Sequence, residues 1–358
     1  MIIGILKETN DNRVAIVPAT LKKLKDLVDD IWVESDAGLL AGFEDSNYQE
    51  YGKIKSRADI LAQANLILAI NPIAEDDLGK MAEGTAVMAM FAPFADDQIV
   101  EVLRKHKVKA FSFDMIPRTT LAQSMDILSA MASIAGYKAV IQAADLLPRY
   151  YPMMITAAGS IKPSTVLILG AGVAGLQAIA TAKRLGAIVE AFDVRAAAKE
   201  EVLSLGAKFI EVEGAVDDKD AGGYAVQQSE EYLQRQRAEV QNRASKADVV
   251  ITTAQVRGRK APVLLPAETV AKMKRGSVVV DLAASTGGNC ALTQNGKTIV
   301  TENGVQIIGD SNLPSTMAQD ASTLVSNNIF NFLKYLIKDG AINYDMEDEI
   351  ISSAYITK

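Results

Sequence analysis

The sequence predicts an α/β fold of two Rossmann-like domains, each built on a mainly parallel sheet and joined by long helices. Three observations carry this prediction. Strand-like and helix-like stretches alternate through the first 115 residues and alternate again from Ser164 onward, which implies parallel strands with helices on the sheet faces. A long helical pattern, "TTLAQSMDILSAMASIAGYKAVIQAADLLPRY", separates the two series. The length, 358 residues, suits two domains better than one core.

In the first series "IIGILKE" reads as a strand leading into a charged turn, "PATLKKLKDL" as a helix and "DIWVES" as a strand. After a loop, "ANLILAI" and "GTAVMAMFA" read as strands, "DDQIVEVLRKHK" as a helix and "VKAFSF" as a further strand. Thr120 is the expected N-cap of the long helix. The second series runs through "STVLILGAGVAG", "AIVEAFDVR", "GAKFIEV", "ADVVITTA" and "GSVVVDLAA" to "VQIIGD". Inside it, a long polar stretch centred on Gly222, Gly223 and Tyr224 predicts a mobile excursion followed by a helix. "MAQDASTLVSNNIFNFLKYLI" has apolar residues at helical spacing and is expected to return to the first domain. The expected domains are 1–137 with 320–358, discontinuous in sequence, and 138–319.

Composition narrows the function. The net charge of −7 argues against nucleic acid, whose phosphates need clustered Lys and Arg. One cysteine, Cys290, excludes an intrachain disulfide and a cysteine-based metal cluster and suits a reducing compartment; no metal site is expected. Cys290 reads as a small buried or turn residue. The single histidine, His106, reads as a solvated residue in a basic helix end, and Met81, Met88, Met90, Met125, Met131, Met153 and Met154 as core filler. The longest apolar run, from Val166, falls short of the roughly 20 residues a membrane span needs. A soluble protein of the cytoplasm or an equivalent reducing compartment is expected.

The most specific motif is "TVLILGAGVAGLQAIATAKRLGA". An apolar strand enters Gly170, Ala171, Gly172, Val173, Ala174 and Gly175, and a helix follows. The first glycine permits a tight turn, the second lets backbone approach a pyrophosphate, and the third lets helix and strand pack closely. The N–H groups and dipole at the helix start attract phosphate. Asp193 ends the next strand, "EAFDVR", 18 residues after Gly175, where an acidic group binds ribose hydroxyls. A carboxylate there repels a 2′-phosphate, so NAD(H) is favoured over NADP(H); Arg195, two residues on, tempers that preference. The glycines, Val173, Ala174, Asp193, Val194 and Arg195 are therefore the candidate cofactor-binding residues.

"GILKET" with "RVAIVPAT", the glycine motif, "TTAQVRGRKAPVL" and "GSVVVDLAASTGGN" resemble the alanine dehydrogenase and transhydrogenase superfamily along nearly the whole chain. "IPRTTLAQSMDILS" resembles more closely the soluble NAD(H)-binding component of proton-translocating nicotinamide nucleotide transhydrogenases. The resemblance implies that Arg118, Gln123, Asp126 and Ser129 form a catalytic set around the nicotinamide, with Tyr137 in the same pattern. It also implies that Tyr224 sits on a mobile lid, and that Ala254 and Gln255 lie near the cofactor ribose. NAD(H) is then expected in the cleft between the domains. The implied partners are an NADP(H)-binding domain and a membrane proton-channel domain, with a homodimer of this chain; the complex would be peripheral to a membrane.

Alanine dehydrogenases use a lysine, a histidine and an aspartate at three places where this sequence has Ile70 and Asn71 before Pro72, "VMAMFAPFA", and Ser285. Losing these groups removes the acid/base equipment of reductive amination. Hydride transfer between two nicotinamides needs only two rings held close. An amino-acid dehydrogenase and a non-enzymatic NAD(H)-sensing module are the alternatives. Two further readings stay open. Arg118, Gln123 and Asp126 also fit a helix start, with Thr120-x-x-Gln123 as a capping box and an Arg118–Asp126 pair. Arg13 is either near the substrate or in a surface ion pair, and Arg257, Arg259 and Lys260 face either a partner or solvent.

Overall fold

The computed structural model describes residues 1–96, 98–212, 229–256 and 258–358. The chain divides into two compact units, Met1–Met131 with Pro314–Lys358, and Ala132–Leu313.

The first unit holds six strands, β1 (Ile2–Ile5), β2 (Asp30–Glu34), β3 (Lys53–Lys55), β4 (Leu66–Leu68), β5 (Ala86–Ala89) and β6 (Lys109–Ser112). They pair in the order β3-β2-β1-β4-β5-β6, all parallel. Helices α1 (Pro18–Leu24), α2 (Asp45–Tyr48), α3 (Arg57–Gln63), α4 (Glu75–Leu78) and α5 (Gln98–Lys105) connect them. A parallel sheet must be covered on both faces, and β4 and β5 are buried along their whole length. The strand order reverses between β1 and β4, the place where open α/β sheets present ligand-binding loops.

Helix α6 (Ile127–Leu146) runs from the first unit into the second. It starts seven residues later than Thr120 predicts. The Asp126 carboxylate accepts from the Ser129 N–H at 2.9 Å and is the cap, while Gln123–Met125 form a 3-10 turn. Among the described residues α6 alone is long and apolar enough to cross a membrane by length and composition. Its Ala139, Val140 and Ala143 are fully buried in the core of the second unit.

That unit has a hairpin, β7 (Met154–Thr156) and β8 (Gly159–Ile161), and seven sheet strands. These are β9 (Thr165–Leu169), β10 (Ile188–Phe192), β11 (Lys208–Phe209), β12 (Val249–Thr252), β13 (Val278–Asp281), β14 (Thr298–Val300) and β15 (Gln306–Ile308). Their order is β11-β10-β9-β12-β13-β15-β14, parallel except for the antiparallel edge strand β14. Helices α7 (Val173–Arg184), α8 (Ala198–Ser204), α9 (Glu230–Lys246) and α10 (Ala267–Val270) flank it.

Alternation along the strands sorts the core into two layers. Val166, Ile168, Val249, Ile251, Val278 and Val280 pack with Ala178, Ile179 and Ala182 of α7 and with α6. Leu167, Leu169, Val250, Val279 and Ile307 pack with Val240 and Ala244 of α9 and with Val270 of α10. Each large apolar side chain so buried contributes about 1.5–3 kcal/mol. The chain then returns to the first unit through α11 (Ala318–Leu336) and α12 (Glu349–Ala354). Met153, expected in the core, is 58 % exposed beside the hairpin.

Candidate nucleotide site

β9 delivers the chain into the glycine turn, and each glycine has its own reason. Gly170 has φ +103°, and a Cβ there would meet the Thr253 hydroxyl at 2.5 Å. A Cβ on Gly175 would lie 1.9 Å from the Gly170 carbonyl oxygen. A Cβ on Gly172 would meet nothing within 4 Å, so space stays open in front of the helix start. Gly172 is the N-cap of α7, no side chain caps the helix, and its first turn carries no acidic residue. The first-turn N–H groups of Val173, Ala174 and Gly175 have no intrahelical acceptor and face that space with the positive end of the helix dipole.

A fourth glycine, missed in the sequence, completes the turn. A Cβ on Gly136 of α6 would lie 2.1 Å from the Ala174 carbonyl, so α6 packs against the start of α7 and sets Tyr137, 38 % exposed, beside it.

Asp193 follows β10 and reaches back to the turn. Its carboxylate accepts from Ala171 N at 2.7 Å, from Arg195 N at 2.8 Å, and from the Arg195 guanidinium at 3.1 and 3.2 Å. Burial raises the Asp193 pKa, but the hydrogen bonds from Arg195 and Ala171 outweigh it and hold the carboxyl below its ordinary value. Arg195 also donates to the Ala171 carbonyl at 3.2 Å. Val194 is largely exposed between the two.

The loop after β12 carries Ala254 and Gln255. Asn289, fully buried, grips it: its Nδ2 donates to the Ala254 and Pro262 carbonyls at 2.8 Å, and its Oδ1 accepts from Ala254 N at 3.0 Å. The only sequence signal was the "GGN" after two glycines of positive φ. Gln255 is exposed, as are Arg259 and Lys260; Tyr224 and Arg257 lie outside the described residues. Asp281, fully buried, anchors the same region by accepting from Thr252, Ala283, Cys290 and Thr293. Cys290 is buried, and burial pushes its thiol pKa up, which leaves it a poor nucleophile. Ser285 is exposed.

In the first unit Arg118, Asp126 and Ser129 form one group. Ser129 Oγ donates to Asp126 Oδ2 at 2.6 Å, and Arg118 Nε lies 3.8 Å from the same oxygen. The helix-start reading is thus right in kind and wrong in detail: Asp126, not Thr120, is the cap, and the Thr120–Gln123 capping box does not form. Gln123 is exposed. Arg13 is not in a surface pair. It is buried with Asp11, Nε to Oδ1 at 2.9 Å and Nη2 to Oδ2 at 2.5 Å. Asn71 donates to Asp11 at 3.0 Å and to Glu8 at 2.9 Å, and the Ile70 N–H donates to Glu8 at 2.5 Å. Burial raises the Glu8 pKa. For Asp11 the bonds from Arg13 outweigh burial, and its pKa falls well below the carboxylate range. His106 is half-buried, not solvated, with Nε2 3.2 Å from Glu75.

Family models describe both halves: the N-terminal domain of alanine dehydrogenase/PNT matches residues 4–135, and the C-terminal domain matches 139–358. The chain belongs to the alanine dehydrogenase/PNT family. This family binds nicotinamide nucleotides, which agrees with the glycine turn. In Rhodospirillum rubrum the NAD(P) transhydrogenase subunit alpha is divided, and this chain is 44 % identical over 371 residues to its first portion, spanning all of this chain and 96 % of that one. It is 41 % identical over 363 residues to NAD(P) transhydrogenase subunit alpha of Haemophilus influenzae, spanning 71 % of that protein. The solved transhydrogenase structure from Sinorhizobium meliloti superposes with a TM-score of 0.90 at 40 % identity, over 99 % of this chain and 98 % of that one. Within the alanine dehydrogenase/PNT family the chain therefore sides with transhydrogenase alpha subunits.

Proposed function

We propose that this chain is the NAD(H)-binding component of a proton-translocating transhydrogenase. It exchanges hydride with NADP(H) carried by a separate component, and a membrane component couples the exchange to proton movement. The observation that carries the reading is the glycine turn with Asp193 behind it: an open space faced by unpaired N–H groups, beside a carboxylate that accepts hydroxyls and repels a 2′-phosphate.

When bound, the reduced nicotinamide supplies the hydride; the chain's residues bind and orient it. Gly170, Gly172, Val173, Ala174 and Gly175 receive the pyrophosphate, Asp193, Val194 and Arg195 the adenosine end, and Ala254 and Gln255 the ribose. Arg118, Gln123, Asp126 and Ser129 act on the nicotinamide end, with Tyr137 and, on its loop, Tyr224. No proton has to move at the reacting carbon, which suits a chain whose single histidine is bonded to Glu75 and whose Asn71 amide is spent on Glu8 and Asp11.

The component is peripheral to a membrane complex, in the cytoplasm or an equivalent compartment. It is a homodimer, and the exposed apolar residues at the hairpin, Met153, Ile155 and Ile161, support that reading because such patches mark protein contacts.

NADH oxidation by the chain mixed with the NADP(H)-binding component of a relative, with NADP but no membrane component, tests the proposal. Fast oxidation that requires the added component is expected, and Gln123→Asn should slow it with NADH binding nearly intact. Turnover of pyruvate and ammonium instead would establish an amino-acid dehydrogenase.

A further inference from the structure

The 3-10 turn Gln123–Met125 is tied to α11 at a single atom. Asn328 Nδ2 donates to the Ser124 carbonyl at 2.9 Å, and Asn331 Nδ2 donates to the same oxygen at 3.1 Å. Residues three apart on a helix lie on one face, so α11 presents two amides converging on one acceptor, which uses both lone pairs of that carbonyl. The arrangement has a cost. Asn328 Oδ1 is buried with no hydrogen-bond partner among the described residues, and a buried acceptor left unpaired destabilises the fold. An apolar residue at 328 would avoid that cost, and a single amide would suffice to tether an ordinary turn. A costly double bond to one atom points to a turn whose position matters more than its stability.

We infer that Asn328 and Asn331 are positioning residues: they clamp the Ser124 carbonyl and so set where Gln123, next to it in the chain, and Asp126, two residues on, present their side chains. The inference rests on the reading of Gln123 and Asp126 as nicotinamide-handling groups. The clamp itself is a property of the first unit and is measurable apart from that reading. The amides it protects are those bonded within the turn segment: Ala122 to Thr119, Met125 to Ala122 and Asp126 to Gln123.

The test is the double variant Asn328→Leu/Asn331→Leu in the full chain, which removes both donors together with the unpaired acceptor. Hydrogen exchange at Ala122, Met125 and Asp126 should speed up by about tenfold or more, a local opening that leaves the rest of α11 protected. The melting temperature should not fall. Hydride transfer to NADP on the partner component should slow by about a hundredfold, the scale of an ångström-sized misplacement, with the NADH dissociation constant within about threefold of the parent. Unchanged exchange at the three amides, or faster exchange throughout α11 with a lower melting temperature, overturns the clamp. So does an unchanged hydride-transfer rate where the parent chain is active. A parent chain that transfers no hydride instead sinks the proposed function, and the exchange measurement still decides the clamp.

Discussion

The two sheets of this protein share a strand order, third-second-first-fourth-fifth, and reverse at the same place, yet the turns that leave their first strands have opposite chemistry. After β9 come glycines, an open space and unpaired N–H groups. After β1 come Lys7, Glu8 and Asp11, and there the polar groups satisfy one another: Asn71 bridges Glu8 and Asp11, Asp11 takes Arg13, and Arg57 bonds Glu34 and Asp77. A ligand site needs groups left unsatisfied by the fold. The same topology thus gives a nucleotide cradle in one unit and a closed polar network in the other, so fold alone does not assign function.

Breaking the closed network should have the largest effect on stability and little on nucleotide binding. Asp11→Asn removes one partner of a buried ion pair and leaves Arg13 uncompensated, which costs about 3 kcal/mol. The sign with pH follows from the lowered Asp11 pKa. The unfolded chain takes up this proton near 3.8 while the folded carboxylate resists, so the pair's stabilisation is present above that pH and is lost as pH falls below it. Thermal unfolding should therefore show a gap between parent and variant that is constant above about pH 5 and narrows in acid. An equal gap at about pH 3 and pH 7 would show that Asp11 does not hold Arg13 as a charge. NADH binding at pH 7 should be unchanged.

The glycine turn can be broken in two distinguishable ways. Gly175→Ala forces a methyl into the Gly170 carbonyl; it should lower stability by about 2–3 kcal/mol and abolish NADH binding. Gly172→Ala meets no atom and needs no unusual φ, so its melting curve should stay within about 0.5 kcal/mol of the parent. Its NADH affinity should nevertheless fall at least about tenfold, because the methyl occupies the space through which backbone approaches the pyrophosphate. Titration calorimetry with unchanged affinity in Gly172→Ala would mean that this space receives no phosphate.

How much of this was visible in the sequence depends on the reach of each interaction. Strands with continuous apolar runs, such as Leu66–Leu68 and Val278–Asp281, and the glycine turn are local patterns, and the chain folds as they predict. The three-residue strand β14 and the hairpin β7–β8 have too few residues for a periodic signal. Asp126 displaced Thr120 as the cap because the turn before it is tied to α11, some 200 residues away in sequence. Asn289 is read only through carbonyls at 254 and 262, Gly136 only through Ala174, and the burial of Arg13 only through Asp11 and Met131. Residue type alone cannot report a partner that tertiary packing supplies.

The smallest expected effect concerns Arg195, the cation paired with Asp193 at the cradle's adenosine end. Its guanidinium occupies lone pairs of Asp193 that a ribose diol would take, yet it is half exposed, so the pair is worth no more than about 1 kcal/mol. Its removal acts in two directions. Asp193 becomes freer to accept hydroxyls, which favours NADH, and a cation well suited to a 2′-phosphate disappears, which disfavours NADPH. Both raise the preference for NADH, so Arg195→Ala should increase the ratio of NADPH to NADH dissociation constants by up to about fivefold. A lower ratio would mean that Arg195 holds Asp193 in place for the ribose, and the discrimination would then belong to the pair and not to the carboxylate alone.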